Sequence, residues 1–138
     1  MEPDSSAIIG QLTAFLNKIL FIEKKTRFQY KDTVLFPSEI HLILFLHEEQ
    51  SVNASLIAEK LGVSKGAVSQ TMTRLEKKGI LRKLKDRYKR NELSVEFTTF
   101  GEEVLDTYLR GIEETHREYD EYLSKLSKKE RGTIKDFL

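Results

Sequence analysis

Apolar residues recur at helical spacing in the first part of the chain. In residues 5–26 they fall on two stripes, Ile8, Leu12, Phe15, Ile19 and Ile22 on one and Ile9, Leu16 and Leu20 on the other. One stripe suffices for the surface helix of a monomer. The two stripes therefore predict a helix that is buried on two sides, against its own core and against a partner chain.

The last part of the chain shows the same helical spacing. The apolar positions that follow Gly101 are Val104, Leu105, Tyr108, Leu109 and Ile112, and then Tyr119, Tyr122, Leu123 and Leu126. The box "SKKE" at Ser127 predicts the cap of a last helix, which ends in Ile134, Phe137 and Leu138. These residues predict a subunit interface, and the alternative is that they pack back on the first helix of the same chain.

Three shorter helices are predicted in the centre. A connecting segment, "FQYKDTVLFP", leads to Pro37 and an apolar helix over residues 38–49. A second helix over residues 53–61 has Ser51 or Asn53 as its cap and ends at Gly62. Ser64 caps a third over residues 65–78, which ends at Gly79.

Helices 53–61 and 65–78 are joined by a tight turn, which is typical of a helix-turn-helix. In that motif the second helix lies in the DNA major groove, with its N-terminal residues at the base edges. Gln70 can pair with adenine and Lys65 can donate to guanine, while Ser69 and Thr73 are short hydrogen-bonding residues. Gly66 costs the helix about 1 kcal/mol relative to alanine, which makes sense if bulk there would block the groove. The alternative is an ordinary amphipathic helix with a polar outer face.

A basic hairpin is predicted next. Residues 80–85 and 92–97 have the pattern of two strands, and Arg87, Lys89 and Arg90 lie in the turn between them. A helix-turn-helix followed by such a hairpin is a winged helix, whose wing follows the DNA backbone and places an arginine in the minor groove. Taken alone, the hairpin is equally a charged surface turn.

The charge distribution points to a polyanion. Residues 60–90 contain eleven Lys and Arg and two acids, so they carry +9, while the rest of the chain carries −8. A solvated surface is the alternative explanation. We therefore predict DNA contacts at Ser64, Lys65, Gly66, Ser69, Gln70, Thr73, Arg74, Arg87, Lys89 and Arg90.

Composition excludes several other functions. The 138 residues are enough for one domain with a real core. The absence of cysteine removes disulfides and thiolate metal sites and fits a reducing cytoplasm. The acidic start is unlike a signal peptide, and we expect no membrane span.

No catalytic constellation, nucleotide-binding loop or cofactor motif is present in the sequence, so we expect no enzyme. No tight histidine pair indicates a metal site. We therefore predict no metal or cofactor, although the sequence alone leaves open whether His41, His47 or His116 binds a metal.

The stretch "LIAEKLGVSKGAVSQTMTRLEKKGIL" and the following "DRYKRNELSVEFTTFGEEVL" resemble the helix-turn-helix and wing of the MarR family of transcription regulators. The resemblance covers essentially the whole chain. In the second stretch Phe97, Thr98 and Gly101 occupy the positions of the family's leucine-threonine-x-x-glycine motif. Lys89 departs from the family, which usually has aspartate before the wing arginine that Arg90 matches.

The resemblance implies a mainly α fold with a small β-hairpin wing, in which N- and C-terminal helices dimerise. Residues 1–36 and 99–138 would be the dimerisation helices, and residues 37–98 the DNA-binding lobe. The expected protein is a cytoplasmic, homodimeric repressor of a pseudo-palindromic operator, with a small-molecule effector as a possible further partner. The alternative is a winged-helix module that binds protein or RNA.

Overall fold

The computed structural model describes residues 3–49, 53–84 and 95–138. Within these ranges the chain forms six helices and two antiparallel sheets of two strands each. The elements in chain order are α1 (Pro3–Lys25), β1 (Phe28–Tyr30), β2 (Thr33–Leu35), α2 (Pro37–Glu48), α3 (Ala54–Leu61), α4 (Lys65–Lys77), β3 (Leu81–Lys83), β4 (Val95–Phe97), α5 (Thr99–Ser124) and α6 (Lys128–Phe137). The predicted fold class, mainly helical with a small hairpin, is confirmed.

One hydrophobic core holds the centre of the chain together. It joins α2, α3, α4, β3 and the first turns of α5, and its fully buried side chains are Leu35, Leu42, Ile43, Ile57, Leu75, Ile80 and Val104. The helix-turn-helix and the base of the wing hairpin therefore pack on the same set of side chains.

The helix limits follow from caps that the sequence shows. Asn53 accepts a hydrogen bond from the backbone N–H of Leu56 at 2.8 Å, so Asn53 rather than Ser51 caps α3. Ser127 and Glu130 form the reciprocal bonds of the capping box at the start of α6. Pro37 is the first residue of α2, as predicted.

The predicted connecting segment of residues 28–37 joins α1 to α2 and also contains a short hairpin that was not predicted. Strands β1 and β2 pair antiparallel, with Phe28 opposite Leu35 and Tyr30 opposite Thr33. Tyr30 and Lys31 both reach Glu103 of α5, at 3.1 Å and 3.0 Å. The hairpin was missed because its two-residue turn contains Lys31 at φ 51°, where glycine or asparagine is the usual signal.

The outer helices expose many large apolar side chains. On α1 these are Ile8, Ile9, Phe15, Leu16, Ile19, Leu20, Phe21 and Ile22, on α5 they are Tyr119, Tyr122 and Leu123, and at the C-terminus they are Ile134, Phe137 and Leu138. By length and composition alone, residues 4–25 are apolar enough to cross a membrane. The expectation that no segment approaches a membrane span was therefore wrong on these two criteria.

Candidate nucleic-acid interface

A tight turn joins α3 to α4, as in a helix-turn-helix. Gly62 has φ 65°, a left-handed conformation that glycine adopts without steric cost, and the N–H of Val63 donates to the carbonyl oxygen of Ala58 at 2.9 Å. The Ser64 hydroxyl then accepts from the N–H of Ala67 at 3.1 Å and starts α4. The turn thus consumes only the three residues between α3 and α4.

The two faces of α4 differ in character. Val68, Thr71, Met72 and Leu75 are buried against the core. The outer face consists of residues that are all exposed: Lys65, Gly66, Ser69, Gln70, Thr73 and Arg74. The structure therefore brings the predicted recognition residues together on one accessible surface.

Gly66 has no internal reason to be glycine. Its φ is not positive, and a Cβ built on it would approach only the Ser64 hydroxyl oxygen, at 3.8 Å, which is ordinary contact. A larger residue would thus fit the folded chain. The described residues therefore give no packing reason for glycine at this position.

Two predicted contact residues already have partners within the chain. The Thr73 hydroxyl donates to the carbonyl oxygen of Ser69 at 3.0 Å, which leaves its oxygen as an acceptor. The Arg74 Nη2 donates to Thr71, one turn earlier in α4, at 2.8 Å, and its Nε lies 3.6 Å from the buried carboxylate of Glu39 on α2. Arg74 is 45% exposed, so it reaches solvent with only part of its length.

Glu39 is a buried charged residue that was not among the predicted site residues. Its side chain is fully buried, although it lies in an apolar helix. The Nζ of Lys78, at the end of α4, lies 2.7 Å from its Oε2. The signal was available, because an acid in the first turn after Pro37 is in the position that pairs with the helix N-terminus.

The base of the wing is well defined. Strands β3 and β4 pair with Leu81 opposite Phe97 and Lys83 opposite Val95, and cross-strand Arg82 and Glu96 form an ion pair. Lys83 also pairs with Glu76 of α4 at 3.3 Å. The predicted contact residues Arg87, Lys89 and Arg90 lie outside the described residues.

The start of α5 is fastened to the wing. The N–H of Thr98 donates to the carbonyl oxygen of Ile80 at 3.0 Å, and its hydroxyl bonds to Gly79 while it caps Gly101. A Cβ at Gly101 would lie only 2.9 Å from the carbonyl carbon of Ile80 and closer still to its oxygen. The glycine of the predicted threonine-x-x-glycine motif is therefore needed for close backbone packing.

A cavity of about 390 Å³ lies between α1, α2 and α5. It is mostly apolar, and its polar groups are Glu23, Thr26, His41 and Tyr108. His41 Nε2 lies 3.2 Å from the carboxylate of Glu23, which joins α1 to α2. Burial raises the pKa of Tyr108, so its hydroxyl stays protonated at neutral pH.

Metal chemistry finds little support in the described ranges. No group of three or more His, Cys, Asp or Glu side chains comes together there in a way that could hold an ion. Of the three histidines, His41 is paired with Glu23, and His116 lines a separate open groove on α5 with Thr115 and Tyr119.

A helix-turn-helix followed by a two-stranded antiparallel hairpin defines the winged-helix class of proteins. Residues 35–89 match the model of the MarR family. The transcriptional regulator AdcR of Streptococcus pneumoniae is 23% identical over 133 residues, which are 92% of this chain and 90% of AdcR.

Solved structures show the same fold. FabT of Streptococcus pneumoniae, in complex with DNA, has a TM-score of 0.74 at 21% identity over 96% of this chain and 90% of FabT. ZitR of Lactococcus lactis, described as a zinc-responsive MarR family member, has a TM-score of 0.72 at 19% identity over 95% of this chain and 94% of ZitR. These comparisons support a transcriptional regulator of the MarR family, whose members are DNA-binding regulators and not enzymes.

Proposed function

We propose that the chain is a homodimeric repressor that binds a pseudo-palindromic operator, with one α4 helix in each of two successive major grooves. The observation that carries this proposal is the outer face of α4, which is exposed and polar and contains a glycine that the fold does not need. The DNA complex of FabT, a protein of the same fold, supports it.

We assign different roles to the predicted contact residues. Gln70 and Lys65 read bases, with help from Ser69 and Thr73. Ser64 and Gly66 let the backbone approach a phosphate at the N-terminus of α4. Arg87, Lys89 and Arg90 add charge along the wing, and Arg90 enters the minor groove. Arg74 contributes charge from the edge of the surface, since Glu39 holds its side chain back.

The dimer is proposed from the exposed apolar side chains of the outer helices. Residues 1–36 and 99–138 form the dimerisation part in this proposal, and residues 37–98 form the DNA-binding lobe. A second copy is favoured as the occupant because apolar residues are exposed on α1, on the distal part of α5 and on α6 alike. Among the described helices only α1 has the length and composition to cross a membrane. The dimer would lie in the cytoplasm, where DNA is accessible.

Deletion of residues 127–138 tests the dimer. It removes the exposed Ile134, Phe137 and Leu138, and sedimentation should then show more monomer together with weaker DNA binding. A truncated chain that stays dimeric at micromolar concentration contradicts the role of α6. Sedimentation of the full chain with and without lipid vesicles separates a partner chain from a membrane.

We propose the cavity between α1, α2 and α5 as the site of a small effector. Its walls come from the proposed dimerisation helices and from α2 of the DNA-binding lobe, so a ligand there would change the angle between the two parts. Thermal unfolding with a panel of small aromatic compounds, followed by DNA release by any that bind, tests this site.

Zinc does not fit this chain as an effector. ZitR is described as zinc-responsive, but structural zinc sites need four ligands and commonly use cysteine. This sequence has no cysteine, and at the cavity the only histidine and carboxylate are His41 and Glu23. We therefore propose no regulatory role for zinc in this chain.

A salt titration of two variants tests the function. For a dimer with about eight phosphate contacts, log affinity should fall with log salt at a slope of about −7. Arg90→Ala should flatten that slope by about 2 and weaken binding to most sequences. Gln70→Ala should cost about 1–3 kcal/mol per half-site on a selected duplex and little on random DNA.

The two variants distinguish the candidate functions. If Gln70→Ala weakens selected and random duplexes equally and Arg90→Ala changes neither, the assignment of roles is wrong. If the wild-type protein binds no duplex DNA at any salt concentration, operator binding fails and a winged-helix module for protein or RNA becomes the better explanation.

A further inference from the structure

We infer that Glu39 is a positioning residue for DNA recognition, a buried carboxylate that fixes the orientation of α4 against the start of α2. The inference rests on the proposed function, because it concerns how α4 is presented to DNA. Glu39 is 0% exposed, although it lies on a helix that otherwise buries apolar residues.

Hydrogen bonds from two parts of the chain converge on this carboxylate. Its Oε2 accepts from the backbone N–H of Phe36 at 2.9 Å, at the start of α2. The ammonium of Lys78, the residue that ends α4, lies 2.8 Å from Oε1 and 2.7 Å from Oε2. Glu39 thus ties the first turn of α2 to the last turn of α4.

The Lys78 ammonium has no bonding capacity left over for solvent. Its third donor goes to the carbonyl oxygen of Val34 in β2 at 2.8 Å, and the Phe36 ring lies 5.0 Å away. The Lys78 ammonium is therefore held by bonds within the fold and does not serve as a phosphate contact, even though Lys78 belongs to the basic segment of residues 60–90.

An ion pair adds a second link between the last turn of α4 and Glu39. Arg74 Nε lies 3.6 Å from Glu39 Oε1, and its guanidinium donates to the buried Thr71 hydroxyl one turn earlier. The rest of the inner face of α4 is apolar, and apolar contact is non-directional, so it tolerates small rotations of a helix. Charge-assisted hydrogen bonds are directional, so the bonds of Lys78 to Glu39, together with the Arg74 ion pair one turn earlier, define the rotation of the outer face.

The same contacts continue to the end of α1. The Arg27 guanidinium lies 4.5 Å from the ring of Phe36, and the Lys78 ammonium lies near the same ring. It also donates to the carbonyl oxygens of Lys24 and Thr26 where α1 ends. The orientation of α4 is thereby linked to the helix that we place at the subunit interface.

A buried ion pair is weak evidence for stability, because desolvation offsets much of its attraction and neutral replacements are often tolerated. A role in positioning and a role in stability can therefore be separated. The test uses Glu39→Gln, which keeps an acceptor for Phe36, and the double variant Glu39→Gln/Lys78→Met, which also removes the ammonium that Glu39 binds. Glu103→Gln, an exposed acid that pairs with Lys31, is the matched control.

The probe is a duplex selected from a random pool by the wild-type protein, compared with a random duplex, and the fraction of folded protein is measured by circular dichroism. We expect Glu39→Gln alone to lose stability, because it leaves Lys78 without its carboxylate, and the double variant to stay folded. The folded fraction of each should lose about tenfold in preference for the selected duplex per half-site, the value of one misplaced base contact. Affinity for random duplex and the preference of Glu103→Gln should stay at the wild-type level.

Two results overturn the inference. One is a folded Glu39 variant with wild-type preference. The other is an equal loss on both duplexes that follows the fraction unfolded, which would mean that Glu39 only stabilises the lobe. A wild-type protein that selects no duplex at all instead refutes the proposed function and is recognised before any variant is made.

Discussion

The backbone of Gly101 packs directly on the carbonyl group of Ile80, with no room for a Cβ between them. Thr98 reinforces this contact with its bonds to Gly79 and Ile80. The start of α5 and the base of the wing are therefore held tightly together. This contact connects the DNA-binding lobe to the long helix α5.

Replacement of Gly101 by alanine should strain that contact. The added Cβ would meet backbone atoms, which cannot move aside as a flexible side chain can. We expect the free energy of unfolding to fall by about 1–3 kcal/mol or more in urea denaturation. Gly111→Ala in the same helix is the control, since no neighbour lies within 4 Å of its Cβ, and an equal loss there would contradict this explanation.

Gly66→Ala should change stability and DNA affinity in opposite directions. Alanine fits the folded chain at this position, so the helix should gain up to about 1 kcal/mol and the melting temperature should rise. If DNA approaches the first turn of α4, the methyl group should weaken binding to every duplex.

The control for Gly66→Ala is Gly132→Ala, at a glycine of α6 that also has open space around its Cβ. It should raise stability without changing DNA affinity. A Gly66→Ala protein that binds DNA as tightly as wild type would show that the glycine does not serve close approach.

The stability of α6 should depend on pH through its capping box. Hydrogen bonds with the Ser127 side chain and backbone lower the pKa of Glu130 below its ordinary value. Because the folded pKa is the lower one, the stabilisation is present above the unfolded pKa and is lost as the pH falls through the folded value.

Hydrogen exchange of the α6 amides between about pH 6 and pH 3 checks this, since the ordinary glutamate pKa lies within that window. Protection should fall with pH in the wild type and less steeply in Glu130→Gln. Glu118→Gln removes the same charge from α5 and serves as the control. Identical pH dependence in all three proteins would exclude the capping box as the cause.

Zinc and chelators should leave both stability and DNA affinity unchanged. A metal that binds only the folded protein at 100 times its Kd would add about 2.7 kcal/mol of stability, which thermal unfolding detects readily. If zinc raises the melting temperature and His41→Ala abolishes the rise, the site at His41 and Glu23 binds metal after all.

The helices were predictable because each has a local signal. Asn53, Ser64 and Ser127 are caps that precede apolar residues at helical spacing, and the structure begins α3, α4 and α6 after them. The β1–β2 hairpin was not predictable, because three-residue strands carry too little pattern and Lys31 occupies a turn position that usually has glycine.

The sequence pattern predicted which face of α4 is exposed, but it did not predict which residues the side chains on that face contact. Periodicity places Arg74 on the outer face of α4, and it is indeed exposed there. Periodicity cannot reveal that Glu39, 35 positions earlier in the sequence, draws that side chain back towards the core. Such contacts depend on how helices cross, which is set by the packing of the whole lobe.

The exposed apolar side chains of α1 have a consequence for the life of the chain before it reaches DNA. This helix precedes the rest of the described fold in the sequence, and the described residues offer it no buried position. If a second copy covers α1, a newly made subunit exposes this apolar surface until it dimerises. The rate of dimerisation depends on the concentration of subunits. At low abundance the monomer would persist longer and would be exposed to proteolysis and aggregation. The loss of monomers would then limit the amount of active regulator in the cell.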